Sequence, residues 1–293
     1  MYDNVNGTKD NPFITKTFND VWHDINCLGT YMFAHGVKDC NVAIIGENSY
    51  EWIIAFFANL LGKIVSVPLD PKLPAEDLAV QLNEGECKAI FYSEYYAPTV
   101  EKIKEIGAPM DTYIYIPDFQ KYIDEGEKLL ADGYTEYKDV VVSPDDLATI
   151  VFTSGTTGKS KGVMLTHENI LENAKGVMGN IRPNPDDKWF SFLPLSHTFE
   201  RTTTYYLAMG MGNQIYFNRN ILQIIDDLHY VRPTILMSVP RIYERVYAKL
   251  NDKLAKKGAL TRYVFNWAVE VGWRRFCKEN GLPVEHTWRE CLD

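Results

Sequence analysis

Cysteine is scarce and scattered. Five cysteines (Cys27, Cys40, Cys87, Cys277 and Cys291) are an odd number with no C-x-x-C pair. Such spacing excludes a disulfide framework and a cysteine zinc site, and it points to a reduced, cytoplasmic setting. Long apolar runs are lacking as well. The longest covers residues 52–62, is broken by Asn59, and is too short to cross a bilayer, so membrane contact is expected to be peripheral at most. The opening Met1-Tyr2-Asp3-Asn4 has neither the basic nor the apolar region of a secretory signal. Positive charge is in deficit, with 30 Lys and Arg against 39 Asp and Glu, a net charge of −9 and a pI near 5.2. That balance excludes a general nucleic-acid binder, which needs a basic surface to displace counterions from phosphates. The sign reverses from Arg241 onward, where 11 Lys and Arg stand against 7 Asp and Glu. Such a tail reads as a solvated helix face, or as a face toward an anionic ligand or membrane. Repeats, low-complexity tracts and Gly/Ser linkers are missing. His23, His35, His229 and His286 share no ligand-like spacing, so no metal site is assigned.

What is present is a chain of 293 residues, 46% hydrophobic and 13% aromatic, which can bury a substantial core. Short β-rich apolar runs at 42–46, 64–68, 89–93, 112–116, 148–153, 189–193, 214–217 and 234–238 alternate with helical patterns at 48–61, 74–84, 96–106, 167–180, 219–229 and 240–257. That alternation predicts an α/β fold with a mostly parallel sheet and crossover helices. Ahead of them, Thr17 and Asp20 form a capping box, opening a helix in which Phe18, Val21, Trp22, Ile25 and Leu28 share a face. Residues 132–146 read as a surface loop. From Leu260 on, a helix, Gly281-Leu282-Pro283 and a short terminal helix are expected.

The most informative stretch is Thr149-Ile-Val-Phe-Thr-Ser-Gly-Thr-Thr-Gly-Lys-Ser-Lys-Gly-Val-Met-Leu165. An apolar strand runs into a loop of Ser, Thr and Gly, followed by lysines and a second β-like run. Small residues let the backbone approach a ligand, amide N–H groups and hydroxyls donate into a common concavity, and lysine supplies a point charge. Such a loop suits a polyphosphate. A Walker A loop places a glycine five residues before its Gly-Lys-Ser/Thr, and Thr153 stands where that glycine is required. A Walker-type phosphotransferase is therefore disfavoured.

The stretch instead resembles the signature of the acyl-adenylate-forming superfamily, Thr-Ser-Gly-Thr-Thr-Gly, a variable residue, usually Pro, then Lys-Gly. Thr153, Ser154, Gly155, Thr156, Thr157 and Gly158 match throughout, as do Lys161 and Gly162, while Ser160 replaces the proline. The run Phe192-Leu193-Pro194-Leu195-Ser196-His197-Thr198-Phe199-Glu200-Arg201 resembles the next family motif in the form typical of long-chain fatty acid enzymes. Leu165 to Ile170, Val239-Pro240-Arg241, Glu244-Arg245-Val246-Tyr247, residues 42–52 and Val67-Pro68-Leu69 extend the likeness.

The resemblance implies an AMP-forming acyl-CoA synthetase. A fatty acid carboxylate attacks the α-phosphate of ATP, and the thiol of coenzyme A then displaces AMP. The nucleophiles belong to the substrates, so no Ser/His/Asp triad or reactive cysteine is expected. Residues Thr153 to Gly158 would wrap the β- and γ-phosphates, Lys161 would fix the loop or neutralise charge, and Mg²⁺ would share that task. His197 would donate a hydrogen bond to the carboxylate or to the developing phosphorane charge, unless it is a packed histidine capping the helix after Pro194. Glu200 and Arg241 stand either as site residues or as a structural pair on helix starts. His167 reads as a helix-start residue.

The family's Tyr-Gly-x-Thr-Glu and Thr-Gly-Asp motifs occur nowhere in the 293 residues, nor does its mobile C-terminal domain. The expectation is an incomplete AMP-binding domain, inactive alone, with a second half supplied in trans as one way to complete it. A non-catalytic nucleotide- or acyl-binding half-scaffold is the alternative. Two sheet-and-helix subdomains in αβα layers are expected, one at 48–180 carrying the phosphate loop and one at 1–47 plus 184–293 carrying the acyl half. The strand at 42–46 should pair with the late strands, the strands at 148–153 and 189–193 should lie in different sheets, and the phosphate loop should be flexible without ligand.

Overall fold

The computed structural model describes residues 2–3, 13–108, 110–154, 160–181 and 183–283. They divide into two compact units, Met1–Met237 and Ser238–Asp293.

In the first unit, β1 (Tyr2–Asp3) and β2 (Ile14–Thr15) precede α1 (Phe18–Ala34), which starts at the expected capping box. The Asp20 backbone N–H donates to the Thr17 hydroxyl at 3.2 Å and the Thr17 N–H to the Asp20 carboxylate at 2.7 Å. The Thr17 N–H, and after it the Thr17 hydroxyl donating to the same carboxylate at 2.7 Å, hold the Asp20 carboxyl below its usual range. Val21, Ile25 and Leu28 are buried as expected, but Phe18 and Trp22 lie 44% and 61% exposed.

Then follow β3 (Asn41–Ile45), α2 (Tyr50–Leu61), β4 (Val65–Pro68), α3 (Ala75–Glu84), β5 (Cys87–Tyr92), α4 (Ala97–Ile106), β6 (Thr112–Tyr115), α5 (Phe119–Ala131), β7 (Leu147–Ser154), β8 (Ser160–Thr166) and α6 (His167–Asn180). Next come β9 (Lys188–Ser191), a helical segment made of α7 (Thr198–Glu200), a π-helical turn Arg201–Tyr206 and α8 (Leu207–Gly210), then β10 (Gln214–Phe217) and α9 (Ile224–Val231).

Among the described residues the strands form two sheets, ordered β6-β5-β3-β4-β7-β8 and β2-β1-β10-β9. As expected, β7 and β9 lie in different sheets. The placement of β3 overturns an expectation. It pairs in parallel with β4 and β5, Val42 opposite Ser66 and Ala89, and not with the late strands. Its side chains are buried on both sides, Val42 and Ile44 toward one core and Ala43 and Ile45 toward the other, so it needs a layer on each face. The crossover helix α2 delivers the next strand directly beside it. The run at 234–238 is reduced to a single bridge, Ile235 with Trp189, between Pro233 and Pro240. The helix expected after Pro194 runs over residues 198–210, and α5 is a helix not anticipated from the sequence.

The larger core lies between the sheets. There α2 is apolar on every side, with Trp52, Ile53, Ile54, Ala55, Phe56 and Ala58 essentially fully buried. Its one buried polar side chain, Asn59, donates to the Ser66 hydroxyl at 3.3 Å. The second core covers the opposite sheet face with α3 and α4.

The second unit contributes α10 (Pro240–Ala255), with Pro240 in its first turn, and α11 (Ala259–Glu279). The expected terminal helix lies outside the described residues.

Two glycines separate backbone contact from open space. A Cβ on Gly126 of α5 would sit 1.9 Å from the Cys27 carbonyl oxygen of α1, whereas one on Gly176 of α6 would meet nothing within 4 Å. Alanine gains about 1 kcal/mol of helix propensity over glycine. At Gly126 the overlap is with backbone and no rotamer relieves it, so α1 and α5 must part at a cost of about 1–3 kcal/mol or more. Urea denaturation should therefore show Gly126→Ala less stable than wild type and Gly176→Ala more stable by up to about 1 kcal/mol. Equal midpoints for the two variants would contradict this packing.

Candidate functional site

The phosphate-loop sequence is carried by an antiparallel hairpin. Strands β7 and β8 pair in continuous register from Thr149 opposite Leu165 to Ser154 opposite Ser160, with Thr153 directly across from Lys161. Gly155, Thr156, Thr157, Gly158 and Lys159 lie outside the described residues, and with them the expectation of loop flexibility. Thr153 and Lys161 are both exposed. Gly162 has a packing reason: a Cβ there would come within 2.9 Å of Ile150 and 3.3 Å of Phe152 on the facing strand.

Ser160, in place of the family's proline, is tied in by its hydroxyl. It accepts from Gln81 Nε2 of α3 at 3.1 Å and donates to the Thr153 carbonyl at 3.4 Å. A proline could make neither bond.

Thr153 and Ser160 line a cavity of about 760 Å³ that also receives Ser196, His197 and Thr198 from the second sheet's side. Two motifs 44 positions apart in sequence, Thr153 and His197, thus meet in one space. Lys161 does not line it. The cavity wall also carries Asp70, Asp77 and Glu84. No described group of three His, Cys, Asp or Glu is arranged to hold a metal ion.

His197 precedes α7, yet its side chain makes no capping hydrogen bond and the residue is exposed. The packed, capping reading is thereby excluded. Its backbone is fixed by its N–H donating to the Pro194 carbonyl at 3.0 Å and its carbonyl accepting from the Arg201 N–H at 3.4 Å. Upstream, Asn48, in the connection from β3 to α2, donates to the Leu193 carbonyl at 2.6 Å and accepts the Leu195 N–H at 2.9 Å. From downstream, Arg201 Nη1 donates to the carbonyls of Leu195 at 2.5 Å and Ser196 at 2.8 Å. Neither Asn48 nor Arg201 was singled out from sequence, although both sit inside the motif stretches.

Glu200 is 1% exposed and its carboxylate accepts from the Thr204 hydroxyl at 3.1 Å. Arg241 is exposed at the start of α10, in the other unit. His167 opens α6 behind the cap Thr166, as expected, and burial lowers its pKa.

Over residues 3–286 the chain matches the family described as AMP-binding enzyme. The chain belongs to that family. Among curated relatives, it is 30% identical over 279 residues to the peroxisomal long chain acyl-CoA synthetase 6 of Arabidopsis thaliana, covering 89% of this chain and 39% of that protein. To the human long-chain-fatty-acid–CoA ligase 1 it is 28% identical over 273 residues, covering 84% and 39%. The chain thus spans about two fifths of the length of these relatives. The N-terminal domain of FACL13 from Mycobacterium tuberculosis shares its fold with a TM-score of 0.68 at 21% identity, over 77% of this chain and 56% of that one. ATP-bound MatB from Rhodopseudomonas palustris gives 0.65 at 24%, over 81% and 46%. The described fold of this AMP-binding family member is the α/β architecture of these neighbours. No described helix is long and apolar enough to cross a membrane.

Burial drives the Glu200 carboxyl up to about 7 from an ordinary 4.5, against the opposing pull of Ser191, Thr204 and the Phe192 backbone. Its folded pKa exceeds its unfolded one, so it stabilises the fold fully below about pH 4.5, and that contribution is lost as pH rises to about 7. The span corresponds to ~3 kcal/mol. Replacing Glu200 by Gln should raise stability above pH 7, with the gain over wild type shrinking toward pH 5 in thermal or urea unfolding. A gain independent of pH would contradict a buried neutral carboxyl.

Proposed function

We propose that this chain grips the ATP phosphates and presents the acid-side histidine of an AMP-forming long-chain fatty acid–CoA ligase. The observation that carries the reading is the meeting of Thr153 and His197 in one cavity. A fatty acid carboxylate attacks the α-phosphate, pyrophosphate leaves, and the thiol of coenzyme A then displaces AMP from the acyl-adenylate. Thr153 to Gly158 offer amide and hydroxyl donors to the β- and γ-phosphates, and Lys161 steadies the hairpin or neutralises charge. The exposed imidazole of His197 donates to the carboxylate or to charge developing at phosphorus.

The carboxylates in the cavity wall oppose a bare polyphosphate. Mg²⁺ fits here only as it commonly enters such sites, on one or two carboxylates and the nucleotide's own phosphates, where it would supply charge neutralisation. Coenzyme A has no residue assigned to it.

In this reading residues 48–180, joined by β3, carry the phosphate loop, and the rest of 1–47 with 184–293 supplies the acyl half. A reduced, cytoplasmic location is supported by the four free cysteines among the described residues, Cys27, Cys40, Cys87 and Cys277. The adenine and ribose motifs absent from these 293 residues would come from further polypeptide, covalently joined or in trans.

Groups that stabilise one transition state fail together when some are missing. The 293-residue chain alone should bind Mg·ATP weakly, more weakly after Lys161→Ala or His197→Ala, and show no fatty-acid-dependent ATP–pyrophosphate exchange. Adding a polypeptide with the missing motifs should restore exchange. Robust exchange by the chain alone, abolished by either substitution, would falsify the account of an incomplete site. Binding without exchange under all conditions would favour the half-scaffold alternative.

A further inference from the structure

The segment that delivers His197 is held from two sides by side chains that touch no other part of the cavity. From the first sheet's side, Asn48 takes both the carbonyl of Leu193 and the N–H of Leu195, and its amide also reaches the Ser191 hydroxyl at 3.3 Å. From the helix beyond, Arg201 takes the carbonyls of Leu195 and Ser196. Leu195 thus has both its backbone groups held by side chains, while its own side chain is 1% exposed.

Arg201 is an expensive way to hold a loop. Its side chain is 1% exposed, and among the described residues it joins no carboxylate in an ion pair. Glu200 beside it turns to Thr204 instead. The guanidinium is offset by two carbonyls, by the face of Phe56 at 5.1 Å and by Tyr206. A buried charge is generally no more stabilising than an apolar side chain of similar volume, so stability alone does not explain it. What an apolar side chain could not do is grip two successive carbonyls immediately before His197. The π-helical turn begins at this residue, a distortion that often accompanies functional sites.

We propose that Arg201 and Asn48 are positioning residues, a two-sided clamp on residues 193–196 that sets where His197 enters the phosphate cavity. The clamp acts on backbone, and His197 has no side-chain cap of its own, so the ring's placement follows the clamp. Asn48 belongs to the connection following β3, in the sheet that bears the phosphate hairpin. It therefore ties the histidine to the same frame as Thr153. Its functional meaning rests on the ligase reading above, and its structural part does not.

The test compares the 293-residue chain with Arg201→Met, Arg201→Lys and Asn48→Ala, using Leu207→Ala as a control that opens a cavity in the same core without touching the segment. Amide hydrogen exchange is read without ligand at Leu195 and His197, and against the strands β9 and β10. The clamp variants should exchange at least about ten-fold faster at these two amides than the change in β9 and β10 accounts for, with Arg201→Lys, which keeps one donor group, changing less. Leu207→Ala should move all of them together. Uniform changes in the clamp variants, or unchanged exchange at Leu195 and His197, would overturn the proposal. Where Arg201→Met does not fold, Arg201→Lys and Asn48→Ala decide.

A second readout is Mg·ATP affinity in the cycle of Arg201→Lys and His197→Ala. The double variant should lose less than the product of the two single losses, because Arg201 acts through His197. Fully independent losses would overturn that link. Should His197→Ala leave affinity unchanged, the ligand role of His197 fails and hydrogen exchange alone judges the clamp.

Discussion

Helix Tyr50–Leu61 is apolar on every face, and it must therefore be covered on every side. One side is taken by the parallel sheet through Val42 and Ile44, another by the helix Phe18–Ala34, and a third by the helical segment beyond His197, whose Tyr205 and Tyr206 rings lie 5.5–6.5 Å from those of Phe56 and Phe57. The core that results joins both sheets, including Trp189, Ile215 and Phe217 of the smaller one. Because burial drives this arrangement and is indifferent to direction, polar contacts must fix the angle and depth of approach. Asn48 and Arg201 do so at the point where the two sheets supply opposite walls of one cavity.

The same logic explains which features can be read from the chain without coordinates. The hairpin of the phosphate loop is legible because its signal is local: an apolar run, small residues, then another β-like run. Most strand positions are legible for the same reason, though not the two-residue strands Tyr2–Asp3 and Ile14–Thr15, nor the single bridge left of the run at 234–238. Which strand lies beside Asn41–Ile45 is a matter of long-range contact, and a run buried on both faces fits any parallel neighbour, so pattern alone could not choose between early and late partners. Likeness to a family suggested the late strands, and the crossover through Tyr50–Leu61 decided for the early ones.

The missed helix Phe119–Ala131 and the unassigned extent of the helix after Pro194 have different causes. Phe119–Ala131 has Phe119, Ile123 and Gly126 on its inner side, so the residue at its closest contact adds nothing to an apolar stripe. In residues 198–210 three consecutive threonines, Thr202, Thr203 and Thr204, and two tyrosines have modest helix propensity, and packing against Phe56 and Phe57 overrides it. At the candidate site, Thr153 and His197 stand out in the sequence by their motifs and line one cavity in the structure, whereas Arg201 does not stand out. A charged residue in an isolated sequence is read as surface, and only the fold reveals that its hydrogen-bond partners are backbone. Lys161 was legible as a member of the motif, yet its strand position leaves it across from Thr153 and outside the cavity wall.

The antiparallel pairing of Leu147–Ser154 with Ser160–Thr166 also sets a limit on length. Phe152 and Ile150 come so close to Gly162 that no other residue of the hairpin can occupy that rung without displacing them, and a slip by one position would turn every side chain to the opposite face. The strands are thus locked in step. Ser154 opposite Ser160 is the last paired rung, so a residue added to or lost from either strand would shift this rung with the others. A one-residue change of length in either strand would therefore be felt along the whole hairpin, at Thr153 and Lys161 as much as at Gly162.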